Sequence, residues 1–208
     1  MPYIGKEPNA SPSQTLGTGA AEDILLKLDG NAVDYHIGLD DSLDLLTIGK
    51  GSTLGTTTSM TFDTNGIITT PLQPAVQVCL DGHQSVANTS ITKLSLATEV
   101  YDINNDFDSS TNYRFTVPVD GLYLAIANVH TLGTPDDNLI IYIQKNGGDL
   151  FRTRHHASAG ANMAANTAGI AQLETDDYLE VFVHHNFGGA QNVTGSNTYT
   201  WFNVIKIA

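Results

Sequence analysis

Residues 113–129, which read Y-R-F-T-V-P-V-D-G-L-Y-L-A-I-A-N-V, constrain the fold more than any other stretch of the chain. Over residues 115–119 apolar side chains occupy every second position, which is the period of a half-buried strand. Pro118 cannot donate to a β-ladder and Asp120-Gly121 is a turn pair, so the strand is expected to break there. The apolar run at residues 122–126 then predicts a second strand that is buried on both faces.

The composition favours a β-rich protein with many turns. Of the 208 residues, 41% are hydrophobic, 15% are charged and 19 are glycine. Ser, Thr, Asn and Asp separate short apolar runs, which is typical of strands joined by tight turns. The formal net charge is −13, with the acidic residues spread along the chain. A nucleic-acid partner is therefore not expected, because phosphate binding needs clustered Lys and Arg.

The cysteine content and the apolar runs bear on the cellular compartment. Cys79 is the one cysteine of the chain, so an intramolecular disulfide is impossible and the fold is not expected to need an oxidising compartment. Its apolar neighbours predict that it is buried. No signal-type apolar segment follows Met1, and no run approaches the length of a membrane span. These features predict neither classical secretion nor membrane insertion.

The first segment, residues 1–20, carries three prolines and three glycines without hydrophobic periodicity. Such a segment is either a mobile tail or an anchoring peptide that becomes ordered on a partner. Tyr3 and Ile4 are the apolar contacts that an anchoring peptide would use.

Three further segments follow. Residues 21–70 contain five short apolar runs punctuated by Asp-Gly, Asn-Gly and Gly-x-Gly turns, which predicts a small β-rich stalk module. The first of these runs could alternatively be a short helix. Residues 71–74 include two prolines and are expected to form an extended connector, and residues 75–208 form the head. Because five short strands bury little on their own, we expect the stalk to be stable only when it pairs with copies of itself in an intertwined trimer.

Several motifs of the head occur together in one known family. The F-T-V-P-V-D-G-L-Y run, an aromatic and polar loop before it at residues 104–110 and the Lys145-Asn146-Gly147 turn resemble the complement C1q/tumour-necrosis-factor-like domain. The resemblance covers roughly the last two thirds of the chain. Asp176-Asp177 stands where the family has Gly-Asp, and Trp201-Phe202-Asn203 stands where the family has a Phe-x-Gly step.

This resemblance implies an all-β protein whose C-terminal jelly-roll sandwich of about ten strands assembles into a homotrimer. It also implies which apolar residues form the trimer core or interface: Phe115, Leu122, Tyr123, Leu124, Trp201 and Phe202. Jelly-roll closure and trimer contacts both remove exposed strand edges.

The stalk carries a second resemblance. Residues 28–52, beginning L-D-G-N-A-V-D-Y-H-I-G-L-D-D-S, resemble small modules of tail-fibre and virion-surface proteins of marine bacteriophages, where such a module precedes a C1q-like head. This implies a virion-surface structural protein, made in the host cytoplasm, that binds host-cell surface molecules multivalently. Its partners would be its own copies, other virion proteins through the N-terminus, and a host glycan or protein.

Candidate binding residues lie in the head. Arg152 and Arg154 are two residues apart on one predicted strand face and could bind an anionic glycan, or could instead form structural ion pairs with nearby Asp residues. Asn192 is a further candidate. It lies in one of four loops that would carry recognition, at residues 104–112, 133–138, 158–168 and 186–197.

No cofactor is required by any motif, but acidic loops could bind Ca²⁺ through their carboxylate oxygens. Asp136 and Asp137 are the best candidates. The adjacent pairs His155-His156 and His184-His185 do not chelate one ion by themselves, because neighbouring strand residues point to opposite faces. A transition-metal site would need one His from each strand.

The sequence contains no catalytic motif, namely no G-x-S-x-G, no H-E-x-x-H, no P-loop and no Cys/His nucleophile pair, and we expect no enzyme activity. Two alternatives to receptor binding remain. One is a capsid or tail decoration protein that uses only its N-terminal peptide, and the other is a glycan-degrading enzyme with a carboxylate pair.

Overall fold

The computed structural model describes residues 15–132, 138–156 and 162–208. Within these ranges the chain forms eighteen β-strands and no helix, and no helix there could span a membrane. The chain divides into two compact units, Met1–Leu72 and Gln73–Ala208. The division falls inside the segment 71–74, where two prolines favour an extended backbone.

The first unit is an antiparallel sheet, here called the stalk sheet, in which the strand order follows the chain order. Its strands are β1 (Ile24–Leu28), β2 (Tyr35–Asp40), β3 (Leu45–Lys50), β4 (Thr58–Phe62) and β5 (Ile68–Thr69). The helical alternative for the first apolar run is therefore wrong. The run is a strand that pairs along its whole length with β2.

The second unit contains thirteen strands within the described residues: β6 (Ala75–Cys79), β7 (Gln84–Val86), β8 (Thr92–Lys93), β9 (Thr98–Asp102), β10 (Phe107–Asp108), β11 (Arg114–Thr116), β12 (Gly121–Thr131), β13 (Asn138–Lys145), β14 (Gly148–His156), β15 (Met163–Leu173), β16 (Tyr178–His185), β17 (Gln191–Val193) and β18 (Trp201–Lys206). They form two sheets. The β12 sheet runs β7-β17-β12-β18-β6-β9 with β15 also paired to β12, and the β13 sheet runs β10-β11-β16-β13-β14 with β8 paired to β16.

A single apolar core includes side chains from both of these sheets. Phe115, Tyr123 and Phe202 are among its largest fully buried members. The rings of Phe115 and Tyr123 lie 5.9 Å apart and tilted, and the Tyr123 hydroxyl donates a 2.7 Å hydrogen bond to the Val119 carbonyl. The Phe-x-Val alternation thus delivers side chains to the core, while the segment around Pro118 leaves the ladder as expected.

The turn at Lys145-Asn146-Gly147 joins β13 to β14 through residues with positive φ, +52° at Asn146 and +81° at Gly147, which suits a tight hairpin. Asn146 also receives a hydrogen bond from the Tyr178 N–H at 2.9 Å. Asp176 has a φ of +70°, at the position where the C1q-like pattern has glycine, so an aspartate here adopts the conformation that glycine adopts most easily.

The sequence did not indicate one long strand. The sequence predicts a recognition loop at residues 158–168, but β15 starts at Met163 and pairs with β12 over eleven residues. Its buried positions include Ala165 and Thr167. Since these residues are small and only weakly hydrophobic, they leave little periodic signal.

We predict that Phe115→Ala lowers the free energy of unfolding by about 3–5 kcal/mol, because the fully buried ring leaves a cavity in a close-packed core. Urea denaturation at one fixed protein concentration measures this. Val119→Ala, at an exposed position, serves as the control and should change the value by less than about 1 kcal/mol. Equal effects of the two substitutions would contradict the assigned core.

Candidate functional site

Part of the outward face of the β12 sheet is apolar. Along β12, Tyr123, Ala125 and Ala127 are buried, while Leu122, Leu124 and Ile126 point away from the core. The expectation that residues 122–126 are buried on both faces is therefore wrong for the single chain, because no other layer covers the outward side among the described residues of the second unit. Leu122 remains 38% exposed.

Neighbouring strands extend this apolar surface. The strand register places Leu124 opposite Ile170 of β15 and opposite Ile205 of β18. Ile170 is 57% exposed and Ile205 is 41% exposed. The outward-facing set, here called the head face, consists of Leu122, Leu124, Ile126, Ile170, Trp201 and Ile205. A contiguous apolar patch of this kind on a protein of low charge content marks an interaction surface.

One polar side chain within the head face lacks a hydrogen-bond partner. The Oδ1 atom of Asn203 is shielded from solvent and has no partner among the described residues. Asn203 lies opposite Ile126 on β12 and opposite Gln77 on β6. A buried carbonyl oxygen normally accepts a hydrogen bond, so this atom is an exception within the single chain.

The six residues proposed for the trimer core or interface fall into two groups. Phe115, Tyr123 and Phe202 lie in the interior of the sandwich, so they stabilise each head and do not contact another chain directly. Leu122, Leu124 and Trp201 belong to the head face. The predicted interface set omitted three members of this surface, Ile126, Ile170 and Ile205, which the β-pairing register brings together.

The outward face of the β13 sheet is different, since it combines cations with aromatic rings. One row of this face crosses four strands. In it, Arg152 pairs with Tyr142, Tyr142 pairs with Phe182, and Phe182 pairs with Lys93. The Arg152 guanidinium carbon is 5.9 Å from the centre of the Tyr142 ring. Arg154 lies in the next row of this face, opposite Ile140 and across it from His184.

All three arginines of the chain lie on strands of the β13 sheet, which is notable in a protein with a net charge of −13. Arg114 stacks on Tyr178, 4.5 Å from the ring centre. Arg152 has one ion pair, at 3.8 Å to the exposed Asp149. Arg154 forms no ion pair with any described residue. The alternative that these two arginines serve structural ion pairs therefore applies to Arg152 at most.

The other predicted binding residues do not join this surface. Asn192 is exposed on β17, opposite Ser85 of β7, and so belongs to the other sheet. Residues 163–168 of the expected 158–168 loop belong to β15 instead, and residues 158–161 lie outside the described residues. Tyr3, Ile4, Asp136 and Asp137 lie outside the described residues.

An acidic cleft of about 490 Å³ is lined by residues that include Asp106, Asp108 and Asp176. The pKa of Asp106 is raised by burial and by the negative charge of Asp102. The carboxylate of Asp108 accepts backbone N–H bonds from Thr111 and Ser110, which hold its pKa well below the usual range. Asp108 therefore caps its own loop, and the cleft does not offer it as a free carboxylate for catalysis.

The histidine pairs do not form a metal centre in the described part of the chain. His155 and His185 lie on the same face with Leu139 between them, but the Nε2 atom of His185 is 3.0 Å from the Val86 carbonyl oxygen. Among the described residues there is no group of three or more His, Cys, Asp and Glu side chains that could hold an ion.

His184 makes stability depend on pH. Burial, together with the neighbouring His185 and Arg154, lowers the pKa of His184 below 6.5, and its Nδ1 atom has no partner among the described residues. The unfolded chain therefore takes up a proton near pH 6.5, whereas the folded chain takes it up only at lower pH. The stability that neutral His184 contributes is therefore fully present above about pH 6.5 and is lost as the pH falls through the lower pKa of the folded chain.

We predict that the free energy of unfolding falls between about pH 7.5 and pH 5.5 and that His184→Gln reduces this fall. Chemical denaturation at a series of pH values measures it. His155→Gln, which removes an exposed histidine from β14, is the control and should retain the wild-type slope. An unchanged slope in His184→Gln would contradict the assignment.

Comparisons with known proteins support the fold. No protein-family model matches the chain. A curated relative, the uncharacterized protein YqcC of Bacillus subtilis strain 168, is 29% identical over 120 residues, which cover 54% of this chain and 32% of that protein. The chain thus spans about a third of the length of that relative.

Three solved structures are similar, each over 65% of this chain. One is the Eiger TNF of S. frugiperda, with a TM-score of 0.53 and 12% identity over 93% of that chain. A second is the globular domain of zebrafish complement 1qA, with a TM-score of 0.52 and 17% identity over 98% of that chain. A third is murine APRIL, with a TM-score of 0.50 and 14% identity over 99% of that chain. Identities this low show the fold alone. They confirm the predicted fold class, an all-β protein with a jelly-roll sandwich of the C1q and TNF type.

Proposed function

We propose that the second unit is the head of a non-enzymatic binding protein and that it forms a homotrimer through the head face. The observation that carries this proposal is the exposure of Leu122, Ile170 and Ile205 on one flat sheet. Burying apolar surface stabilises an assembly by about 25 cal/mol for each Å² removed from water.

The fold makes a trimer the natural form of this association. The C1q/TNF-like resemblance implies three heads around one axis, and closed symmetry leaves no unpaired copy of the interface. The same arrangement explains why β12 carries apolar residues on both sides. One side packs into the sandwich, and the other side packs against another copy.

We further propose that the trimer is displayed on the surface of a bacteriophage virion and binds molecules of the host-cell surface. The support is the resemblance of residues 28–52 to tail-fibre and virion-surface modules. In this proposal residues 1–20 anchor the chain to other virion proteins through Tyr3 and Ile4. Three weak head sites acting together would raise the overall affinity by roughly 10²–10⁴.

The receptor-binding surface that we propose is the outward face of the β13 sheet around Arg152 and Arg154. Arginine binds carboxylate or sulfate groups in a bidentate manner, and both side chains are exposed. An anionic host glycan is the ligand that this chemistry fits best. Asn192 would belong to a separate contact, because it lies on the other sheet.

Calcium is proposed as an optional ligand and no cofactor is required. Asp136 and Asp137 supply the hard oxygen ligands that Ca²⁺ prefers. Calorimetric titration of Ca²⁺ into the wild type and into Asp136→Asn/Asp137→Asn tests this. A heat of Ca²⁺ binding that the wild type shows and the variant lacks would support the site. Equal heats in both proteins would refute it.

We predict that Ile170→Asp converts the trimer to monomers, because three buried and unpaired carboxylates would lie in the interface. Light scattering measures the mass. Ile91→Asp is a matched control, since Ile91 is 55% exposed but lies outside the head face, and this variant should stay trimeric. The emission of Trp201, the single tryptophan, should shift to the red in Ile170→Asp only.

We also predict that the wild type binds dextran sulfate and that Arg152→Gln/Arg154→Gln binds it about tenfold or more weakly, because two charge-assisted contacts are lost. Neutral dextran should not bind. Lys50→Gln, which removes an exposed cation of the stalk, is the control and should bind as the wild type does. Binding lost equally in both variants would indicate a general charge effect and would refute the assigned surface.

A further inference from the structure

The stalk sheet has its polar and apolar faces reversed relative to an ordinary soluble sheet. In β2 the buried side chains include His36 and Asp40, whereas Tyr35, Ile37 and Leu39 are exposed. In an antiparallel sheet with one solvated face, the apolar side chains normally point to the core and the polar ones to water. Here the opposite holds along the entire strand.

The register shows that the exposed apolar side chains form continuous rows. Because directly paired residues project to the same side of a sheet, the pairs can be followed from strand to strand. One row crosses all five strands, a second crosses four, and a third, which ends at Lys50, crosses three. The complete set, here called the stalk face, is Ile24, Leu26, Leu28, Tyr35, Ile37, Leu39, Leu46, Ile48, Met60, Phe62 and Ile68.

The opposite side of the stalk sheet is closed by the chain itself. His36 is fully buried, and its Nδ1 atom lies 3.0 Å from the Gly51 carbonyl oxygen. A Cβ atom at Gly38 would lie 2.5 Å from the Leu54 side chain, and one at Gly49 would lie 2.6 Å from the Thr57 carbonyl oxygen. The loop between β3 and β4 therefore seals the polar side, and the stalk face is the side that is left open.

The amino-terminal segment offers too few apolar side chains to cover the stalk face. Residues 1–14 contain Met1, Tyr3 and Ile4 as their large apolar side chains, against eleven in the face. The face itself carries no charge apart from Lys50 at its edge. Residues 1–74 hold nine acidic and three basic side chains, so copies of the stalk repel one another except through this uncharged surface.

We propose that the stalk faces of the copies in one assembly pack against each other, so that the occupant of the face is the same face of a second and a third copy. This inference rests on the proposed homotrimer, which holds three stalks together through the chain that joins stalk to head. In a closed threefold arrangement each apolar face packs around the axis against the faces of the other two copies, so none of them is left exposed.

The size of the face explains why the stalks depend on the heads. Five strands, each about 4.8 Å wide, and a strand length of about 17 Å give roughly 400 Å² for each face. Two such faces together fall short of the roughly 1,000 Å² expected of a stable independent interface. Three tethered faces add up to about 1,200 Å², and tethering replaces a bimolecular association by an intramolecular one.

The test uses the full chain with one new thiol, because Cys79 is buried. Ile37→Cys places the thiol in the stalk face, where Ile37 is 39% exposed in the single chain. Thr53→Cys places it at an exposed position of the loop on the sealed side. Each variant is treated with a thiol-reactive dye, and separately with a short bis-maleimide followed by denaturing electrophoresis. The mass of each variant is measured by light scattering.

The expected result is a trimeric mass for both variants, with dye labelling of Ile37→Cys about tenfold or more slower than that of Thr53→Cys, because a packed face opens only rarely. The bis-maleimide should join Ile37→Cys chains into covalent dimers and leave Thr53→Cys chains single. Ile37→Ser provides a second variant that keeps the surface uncharged. It should lower the thermal midpoint of the stalk while the trimeric mass is retained.

Other results would overturn the inference. A trimer whose Ile37→Cys thiol is protected but not cross-linked would have its stalk face covered by other residues of its own chain. A trimer with a rapidly labelled thiol would have an open stalk face. In both cases the proposed head trimer would survive. A monomeric mass in the wild type and both variants would instead refute the head trimer, and the stalk inference would fail with it.

Discussion

The central constraint on this protein is the antiparallel pairing of β12 with β15 on one side and β18 on the other. Eleven residues of β12 pair with β15, and six pair with β18. This pairing fixes which side chains of β12 enter the core, since a shift by one residue would exchange the two faces. It also gathers Leu124, Ile170 and Ile205 into one outward row. The head face is thus a direct consequence of the register that builds the core.

Both units of the chain have the same physical problem. Each contains a sheet that has one side covered by its own chain and one apolar side left open. The covered side of the head sheet holds an apolar core, whereas the covered side of the stalk sheet holds the polar residues His36, Asp40 and Thr47. In the proposed homotrimer, copies of the chain would cover the open sides of both units with the same symmetry. The arginine-bearing face of the β13 sheet would then stay free to bind a ligand.

The sequence predicted those features that depend on local pattern. The alternation around Phe115, the turn at Asn146-Gly147 and the short stalk strands follow from periodicity and turn chemistry. It did not predict the first part of β15, whose buried alanine and threonine carry little signal, or the three-residue strands β7 and β17. The sequence also could not predict the head face and the stalk face. An apolar run indicates that a residue is buried, but it does not show whether the same chain or another copy covers that residue.

Sedimentation equilibrium of the wild-type protein over a range of concentrations tests the central claim most directly. The account predicts a single species of about 67 kDa, three times the mass of the 22.2 kDa chain, that persists on dilution because the apolar faces of three copies cover one another. A single species of 22.2 kDa at all concentrations would contradict it, since both open faces would then be exposed to water.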